Sequence, residues 1–202
     1  LDVVANSRIP DMIADLIGVN VKFHHSKINA KLPGANTQVK WHQDFPFTPH
    51  TSDDLVTALL ALDDVDETDG PLIAALGSHK DGLADLWHNG QFTGVAGDMA
   101  AAAWECVART FAVAAGGVCL MHTHAGHSSG PNLGTRPRRL FIAVYAAEDA
   151  IPLSPNRLPS IHEGLLVRGQ RTGRARAVPF ELKLPQRPAT GSFFNQQVEY
   201  DG

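Results

Sequence analysis

The chain has few cysteines, little excess charge and no long apolar run, and each absence excludes a class of protein. Its two cysteines, Cys106 and Cys119, are too few for a disulfide framework, so we expect reduced thiols in a cytoplasmic protein. A formal net charge of −4 and a pI near 6.2 give no reason to expect nucleic acid or an anionic membrane as a partner. No apolar run is long enough to cross a bilayer, and no signal peptide is visible.

The composition is that of one globular domain with many turns. Of the 202 residues, 44% are hydrophobic and 19% are charged, which is enough for a proper core. Eighteen glycines and thirteen prolines favour an all-β fold, and we assign residues 1–202 to a single domain. Because Leu1 already lies inside an amphipathic pattern, we expect that an N-terminal segment precedes it.

Local patterns predict the main elements. Apolar spacing over residues 1–18 predicts one helix or two, with Pro10 suited to a helix start and Gly18 to a stop. Alternation and β-branched content predict strands elsewhere, and residues 98–115 combine a helical turn with a strand. Adjacent strand residues face opposite ways, so we expect one of His24 and His25 to be packed and the other solvated. The predicted strands are 19–31, 53–63, 72–76, 118–122, 140–145 and 180–184.

A histidine and a carboxylate stand one residue apart in Trp41-His42-Gln43-Asp44. In an extended strand, His42 and Asp44 point to the same face and Gln43 to the other. An imidazole and a carboxylate, joined by a second histidine, make the facial triad of non-haem Fe(II) oxygenases. The pair alone is also typical of a polar strand end. A second histidine is therefore needed to distinguish a metal site from such a strand end.

Three histidines downstream compete for that third position. Alternation in the strand before them puts His122 and His124 on one face, and His127 stands in the loop sequence His127-Ser128-Ser129-Gly130-Pro131-Asn132. Arg138 follows at the start of an apolar strand and shares a face with Leu140 and Ile142, the expected interior. A buried arginine needs a counter-anion, which a carboxylate ligand would supply in a bidentate pair.

Several separate motifs together resemble the phytanoyl-CoA dioxygenase family of Fe(II)/2-oxoglutarate oxygenases. They are His42-Gln43-Asp44, Asp69-Gly70-Pro71-Leu72 leading to Gly77-Ser78-His79, the loop that starts at His127, and Arg138. The resemblance spans roughly residues 19 to 146. It implies an all-β double-stranded β-helix, a jelly-roll or cupin-like barrel, with flanking α-helices.

The resemblance also implies a site. It selects His127, rather than His122 or His124, to complete a metal triad with His42 and Asp44, and it gives Arg138 the distal carboxylate of 2-oxoglutarate. Ser129 and Gln43 would help to bind the co-substrate. In the family, a lysine around the position of Lys31 can also lie near the co-substrate. The implied cofactors are Fe(II), 2-oxoglutarate and O2, with succinate and CO2 as co-products of hydroxylation at an aliphatic C–H.

The substrate and two other classes of function stay open. A small molecule, such as one from secondary metabolism, is the expected substrate, and no feature predicts the oligomeric state. Because Asp44 is present, no ligand position is vacated for a halide, but desaturation, epoxidation and cyclisation would use the same centre. The alternatives are a non-oxygenase cupin-like metalloprotein, such as an isomerase or hydrolase, and a catalytically silent binding barrel. The arginines of residues 168–176 predict a solvated hairpin or a contact with an anionic substrate.

Overall fold

The computed structural model describes residues 1–185 and Gln197. The N-terminal region forms a π-helical turn (Asp2–Asn6) and helix α1 (Ile9–Ile17), and helix α2 (Asp98–Cys106) lies in the middle of the chain. Short 3-10 helices cover Phe45–Phe47 and Ser78–Lys80. The strands are β1 (Val21–Lys31), β2 (Val39–His42), β3 (Leu55–Ala61), β4 (Leu72–Ala75), β5 (Trp87–His88), β6 (Gln91–Phe92), β7 (Ala108–Phe111), β8 (Val118–His122), β9 (His127–Ser129), β10 (Arg138–Ala147) and β11 (Leu166–Arg168).

Two antiparallel sheets form the barrel. The major sheet has the strand order β11-β1-β10-β3-β8, and the minor sheet has the order β2-β9-β4-β7. Neighbours in each sheet are distant in sequence, as in a jelly roll, and a separate β5-β6 hairpin follows the second 3-10 helix. The predicted double-stranded β-helix with flanking helices is therefore confirmed.

The core lies on both faces of the major sheet. On its outer face, Ile9 and Ile13 of α1 pack against Val56, Ala58 and Tyr145, because the apolar stripe of α1 is on the side that meets the sheet. On its inner face, Leu59 and Leu140 pack against Leu72 and Ala74 of the minor sheet. A second apolar cluster on this face contains Leu55 and Val144, and polar side chains such as Thr57 lie on the same face.

The expectation for His24 and His25 was wrong. The pairing of β1 with β10 shifts register between Phe23 and His25, so His24 is the extra residue of a β-bulge. The two rings lie edge to face with centroids 4.9 Å apart, and neither side chain is exposed. The bulge interrupts the alternation on which the expectation depended.

One expectation for the C-terminal part was wrong. Residues 180–184 form no strand; Phe180 packs its ring against Phe45 instead, with centroids 5.5 Å apart, and β11 is the strand added after β10. Among the arginines at 168–176, Arg168 pairs with Asp11 and Arg176 pairs with Asp149 and Asp54, whereas Arg171 and Arg174 are exposed. No helix in the described part of the chain has the length and apolarity that a membrane crossing requires.

Candidate metal and co-substrate site

The structure brings the three predicted metal ligands together. The Nε2 atoms of His42 and His127 lie 3.8 and 3.7 Å from the same oxygen, Oδ1 of Asp44, and one ligand atom from each residue fits within 4.8 Å of the others. The chemistry of this donor set, two imidazoles and one carboxylate, fits an iron(II) ion. Within the described residues, no other group of histidine, cysteine or acidic side chains meets the same distance criterion.

The backbone that presents His42 and Asp44 differs from the predicted strand. Strand β2 ends at His42, and Asp44 has helical backbone angles (φ −74°, ψ −34°) at the start of the 3-10 helix Phe45–Phe47. The predicted strand therefore does not extend to Asp44, which reaches the cluster from the start of the 3-10 helix. The motif identified the residues, but not the backbone that carries Asp44.

His127 reaches the site from its own short strand, and the predicted strand 118–122 does not deliver it. Strand β8 belongs to the major sheet, whereas β9 belongs to the minor sheet and pairs His127 directly with His42. Gly126 makes this placement possible, since a Cβ there would lie 2.3 Å from the Trp104 ring of α2. The pairing of β2 with β9 therefore joins the two halves of the site.

Each ligand is oriented by a second contact. The Nδ1 atoms of His42 and His127 lie 2.9 and 3.0 Å from the carbonyl oxygens of Lys40 and Ala125, which leaves both Nε2 atoms for a metal. Thr57 donates a hydrogen bond of 2.7 Å to Oδ2 of Asp44, which leaves Oδ1 for the metal. Thr57, on the inner face of β3, was not predicted, because a threonine in a strand carries no motif of its own.

The charge states suit metal binding. Burial, together with the neighbouring His127, lowers the pKa of His42 well below its ordinary value, so its imidazole is neutral at pH 7. Burial works to raise the pKa of Asp44, but the neighbouring His127 and His42 rings and the Lys27 ammonium outweigh it and lower that pKa. Metal ligands must be deprotonated, and these directions favour that state.

Arg138 lies in the interior at the first residue of β10. It is only 2% exposed, and its guanidinium donates to the Gly70 carbonyl from Nε and Nη2 and to Oδ1 of Asn29 from Nη1. These contacts use three of its five N–H donors. None of the ion pairs in the described part of the chain includes Arg138, so a buried cation is held by neutral groups alone.

A second buried cation, Lys31, lies opposite Arg138 in the β1-β10 ladder. Its Nζ donates to Oγ and the carbonyl of Ser129 at 2.7 and 3.0 Å and also to the Gly130 carbonyl. Burial and the charge of Arg138 lower the pKa of Lys31 to about 7, although the three acceptors favour the ammonium form. Lys31 was not among the predicted site residues, and its contact with Ser129 is what places it at this end of the site.

The loop that starts at His127 supports this region through hydrogen bonds to main-chain carbonyls. Asn132 donates from Nδ2 to the carbonyls of Lys31 and Arg136, which holds β1 against the turn before β10. Gly70 has a positive φ of 69°, and a Cβ there would lie 2.7 Å from the Gly130 carbonyl oxygen. Glycine is therefore required where the chain passes close enough to offer its carbonyl to Arg138.

Gln43 is fully buried, and within the described residues its side-chain amide hydrogen-bonds to main-chain atoms alone. Nε2 donates to the carbonyls of Gly82 and His124 at 2.9 and 2.6 Å, and Oε1 accepts from the Ala84 amide at 2.8 Å. These hydrogen bonds hold residues 82–84, which follow the 3-10 helix Ser78–Lys80, next to the predicted metal ligands. A role for Gln43 toward the co-substrate stays a prediction, as does that of Ser129.

The competing histidines lie outside the triad. The ring of His122 lies 5.6 Å from that of His79, and the ring of His124 lies 4.6 Å from that of Phe45. Strand β8 carries His122 into the major sheet, where it pairs with Val56. Periodicity alone would have selected this pair, neither member of which joins His42 and Asp44 in the cluster.

Sequence comparisons match the chain to known oxygenases. The sequence profile described as phytanoyl-CoA dioxygenase (PhyH) matches residues 2–140. A curated relative from Stutzerimonas stutzeri, named a probable alpha-ketoglutarate-dependent hypophosphite dioxygenase, is 35% identical over 188 residues. The match covers 90% of this chain and 65% of the relative, so the chain spans less than two thirds of that protein's length.

Comparisons with solved structures show the same fold. The non-heme monooxygenase ThoJ, in a nickel complex, superposes with a TM-score of 0.63 at 23% identity, covering 95% of this chain and 67% of ThoJ. The epimerase SnoN, in complex with Fe3+, alpha ketoglutarate and nogalamycin RO, has a TM-score of 0.65 at 22% identity, covering 86% of this chain and 68% of SnoN. At these identities the likeness establishes the fold alone.

Proposed function

Because this chain belongs to the phytanoyl-CoA dioxygenase family of iron- and 2-oxoglutarate-dependent oxygenases, we propose that it inserts one oxygen atom into an X–H bond of a small-molecule substrate. In the balanced reaction, 2-oxoglutarate and O2 yield succinate and CO2, and X–H becomes X–OH. Hydroxylation of an aliphatic C–H, for instance in secondary metabolism, is the form we favour. The cytoplasm is its proposed location, since Cys106 and Cys119 form no disulfide.

The proposed roles follow from the contacts. His42, Asp44 and His127 would hold the iron, which supplies the redox chemistry when bound. Arg138 and Lys31 would bind the far carboxylate of 2-oxoglutarate, with Ser129 beside them. Thr57 would keep Asp44 in position. The protein then contributes orientation and the exclusion of water, for which a buried and rigid arrangement is suited.

One observation carries the proposal. In the part of the chain that the structure describes, the same barrel interior holds a two-histidine, one-carboxylate cluster and a buried arginine that contacts only neutral groups. Burying a guanidinium that has no carboxylate partner costs free energy, and an anionic ligand that pairs with it offsets that cost. A zinc isomerase or a silent barrel would have no need for that arrangement.

A second candidate reaction follows from the relative's name. In hypophosphite the oxidised bond would be P–H rather than C–H, and the co-products would again be succinate and CO2. The 35% identity to the probable hypophosphite dioxygenase favours this candidate. Both reactions require the same metal and co-substrate, so one experiment tests what they share.

We would titrate the protein anaerobically with Fe(II) and 2-oxoglutarate and record the visible charge-transfer band of the chelated co-substrate. His127→Ala should abolish the band. Arg138→Met should raise the 2-oxoglutarate concentration at half-saturation by roughly 10- to 100-fold, since a hydrogen bond to a charged group contributes about 1.5–3 kcal/mol.

Arg139→Met is the matched control. Arg139 is the next residue of β10, but its side chain is 54% exposed and pairs with Asp63. It should leave the half-saturation concentration unchanged, and Arg138→Lys should recover part of the loss. Iron that binds without any band in the wild-type chain would contradict the proposed function.

A further inference from the structure

The inner face of β1 carries basic side chains at alternate positions. Beyond the bulge, His25, Lys27 and Lys31 pair in register with Val144, Ile142 and Arg138 of β10. Because strand side chains alternate, these three residues share one face with Asn29. On the opposite face, Ile28 is 64% exposed, which shows that the basic face is the inner one.

His25 has an unused polar atom in this interior. Its Nδ1 is buried and has no hydrogen-bond partner among residues 1–185 and Gln197, which is unusual for a buried polar group. Burial, with help from His24 and Lys27, lowers the pKa of His25 to about 3, while the carboxylate of Asp44 acts to raise it. The ring is therefore a neutral imidazole within the electrostatic reach of a metal ligand.

Lys27 lies on the same inner face of β1 as His25. In the register of the major sheet, Val144 pairs with His25 on one side and with Thr57 on the other, and Thr57 holds Asp44. Lys27 is the next inward-facing residue of β1 after His25. Lys31 lies four residues further along β1, which corresponds to about 13 Å of strand at 3.3 Å per residue. Lys27 is thus separate from the Arg138–Lys31 end, where the far carboxylate of 2-oxoglutarate would bind.

We propose that His25 and Lys27 form a subsite for the substrate, and that this subsite selects a small anion and holds it beside the metal. The proposal rests on the proposed oxygenase function and adds the charge class of its substrate. The Lys27 ammonium would supply the charge, and the His25 imidazole would use the ring nitrogen that now lacks a partner. An oxyanion fits this pair, because it accepts hydrogen bonds from both side chains. Phosphorus oxyanions and small carboxylates share this chemistry, and the experiment separates them.

The test measures binding by calorimetry under argon, with Fe(II) and saturating 2-oxoglutarate already bound. The probes are hypophosphite, phosphite, acetate and the neutral acetamide. We expect at least one anion to bind the wild-type protein and acetamide not to bind. Hypophosphite or phosphite alone would identify a phosphorus oxyanion, whereas acetate alone would identify a carboxylate.

The variants separate the substrate subsite from the co-substrate site. Lys27→Met should weaken anion binding about tenfold or more, and His25→Phe should weaken it as well, while Lys27→Arg retains most of it. In both weakened variants the 2-oxoglutarate half-saturation, read from the charge-transfer band, should stay within about twofold of wild type. Lys80→Met, which removes an exposed lysine from the 3-10 helix Ser78–Lys80, controls for the loss of one positive charge.

The outcomes that overturn the inference differ from those that overturn the proposed function. The inference is wrong if Lys27→Met raises the 2-oxoglutarate requirement and leaves the anion affinity unchanged, because Lys27 would then serve the co-substrate. It is also wrong if none of the three anions binds the wild-type protein, or if acetamide binds equally well. A charge-transfer band in the wild-type protein would in each case leave the proposed function intact, whereas its absence would reject that function first.

Discussion

Thr57 provides a sharp test of how this fold prepares a metal site. Its hydroxyl donates to Oδ2 of Asp44 at 2.7 Å, and Thr57 is 1% exposed. Thr57→Val keeps the shape of the side chain and the β-branching that suits β3, but it removes the donor. The carboxylate would then lose the contact that leaves Oδ1 directed toward His42 and His127.

The expected size of the effect follows from the bond that is lost. A hydrogen bond to a charged group contributes about 1.5–3 kcal/mol, which corresponds to roughly 10- to 100-fold in an equilibrium constant. Loss of a residue that orients a metal ligand reduces metal affinity by a similar factor, about 10- to 100-fold. We therefore expect Thr57→Val to weaken Fe(II) binding within that range.

The assay is anaerobic calorimetry of Fe(II) binding to the metal-free protein, with circular dichroism to verify the fold. Thr110→Val is the matched control, since Thr110 is exposed on β7 and β7 carries no ligand. An Fe(II) affinity of Thr57→Val equal to that of the wild-type protein would refute the reasoning, because Asp44 would then be positioned without its partner.

Three further predictions concern Lys31 and Gly126. Because the pKa of Lys31 is lowered to about 7, its ammonium loses its proton between pH 6 and 8.5, and 2-oxoglutarate binding should weaken over that range. This pH dependence should be absent in Lys31→Met. The same pH dependence in Lys31→Met and the wild-type protein would contradict a role of Lys31 in binding 2-oxoglutarate. In the unfolded chain Lys31 keeps its proton to higher pH than in the folded protein. The free energy of unfolding of the metal-free protein should therefore rise with pH between about pH 7 and the ordinary pKa of lysine, and urea unfolding curves at a series of pH values measure it. Gly126→Ala should cost roughly 1–3 kcal/mol through overpacking against Trp104, and so lower the melting temperature by several degrees, whereas Gly130→Ala, where a Cβ meets no atom within 4 Å, should be tolerated.

Much of the fold was predictable because local patterns agree with it. The apolar spacing before Gly18 gives α1, and the change from alanine-rich to alternating sequence gives α2 followed by β7. The apolar runs that become β3 and β10 are buried on both faces, so their residues are apolar almost throughout. In these segments the local preference and the tertiary environment favour the same structure.

The residues of the candidate site were predictable as motifs. His42, Asp44, His127 and Arg138 stand in the order and spacing of the family, and the structure brings the first three together as predicted. Their geometry was not predictable, because Asp44 lies beyond the end of β2 and His127 lies on a strand of its own. Whether Arg138 binds 2-oxoglutarate stays a prediction for the titration to decide.

The family, most of the longer strands and helices, and the residue types that can bind a metal could be predicted without a structure, since motif order and periodicity are properties of neighbouring residues. Which other side chains share the interior depends on how distant strands pair. The bulge at His24 turns His25 inward, the β1-β10 register places Lys31 opposite Arg138, and β3 brings Thr57 to Asp44. Contacts between distant strands depend on their register, because a shift of one residue turns every side chain of a strand to the opposite face.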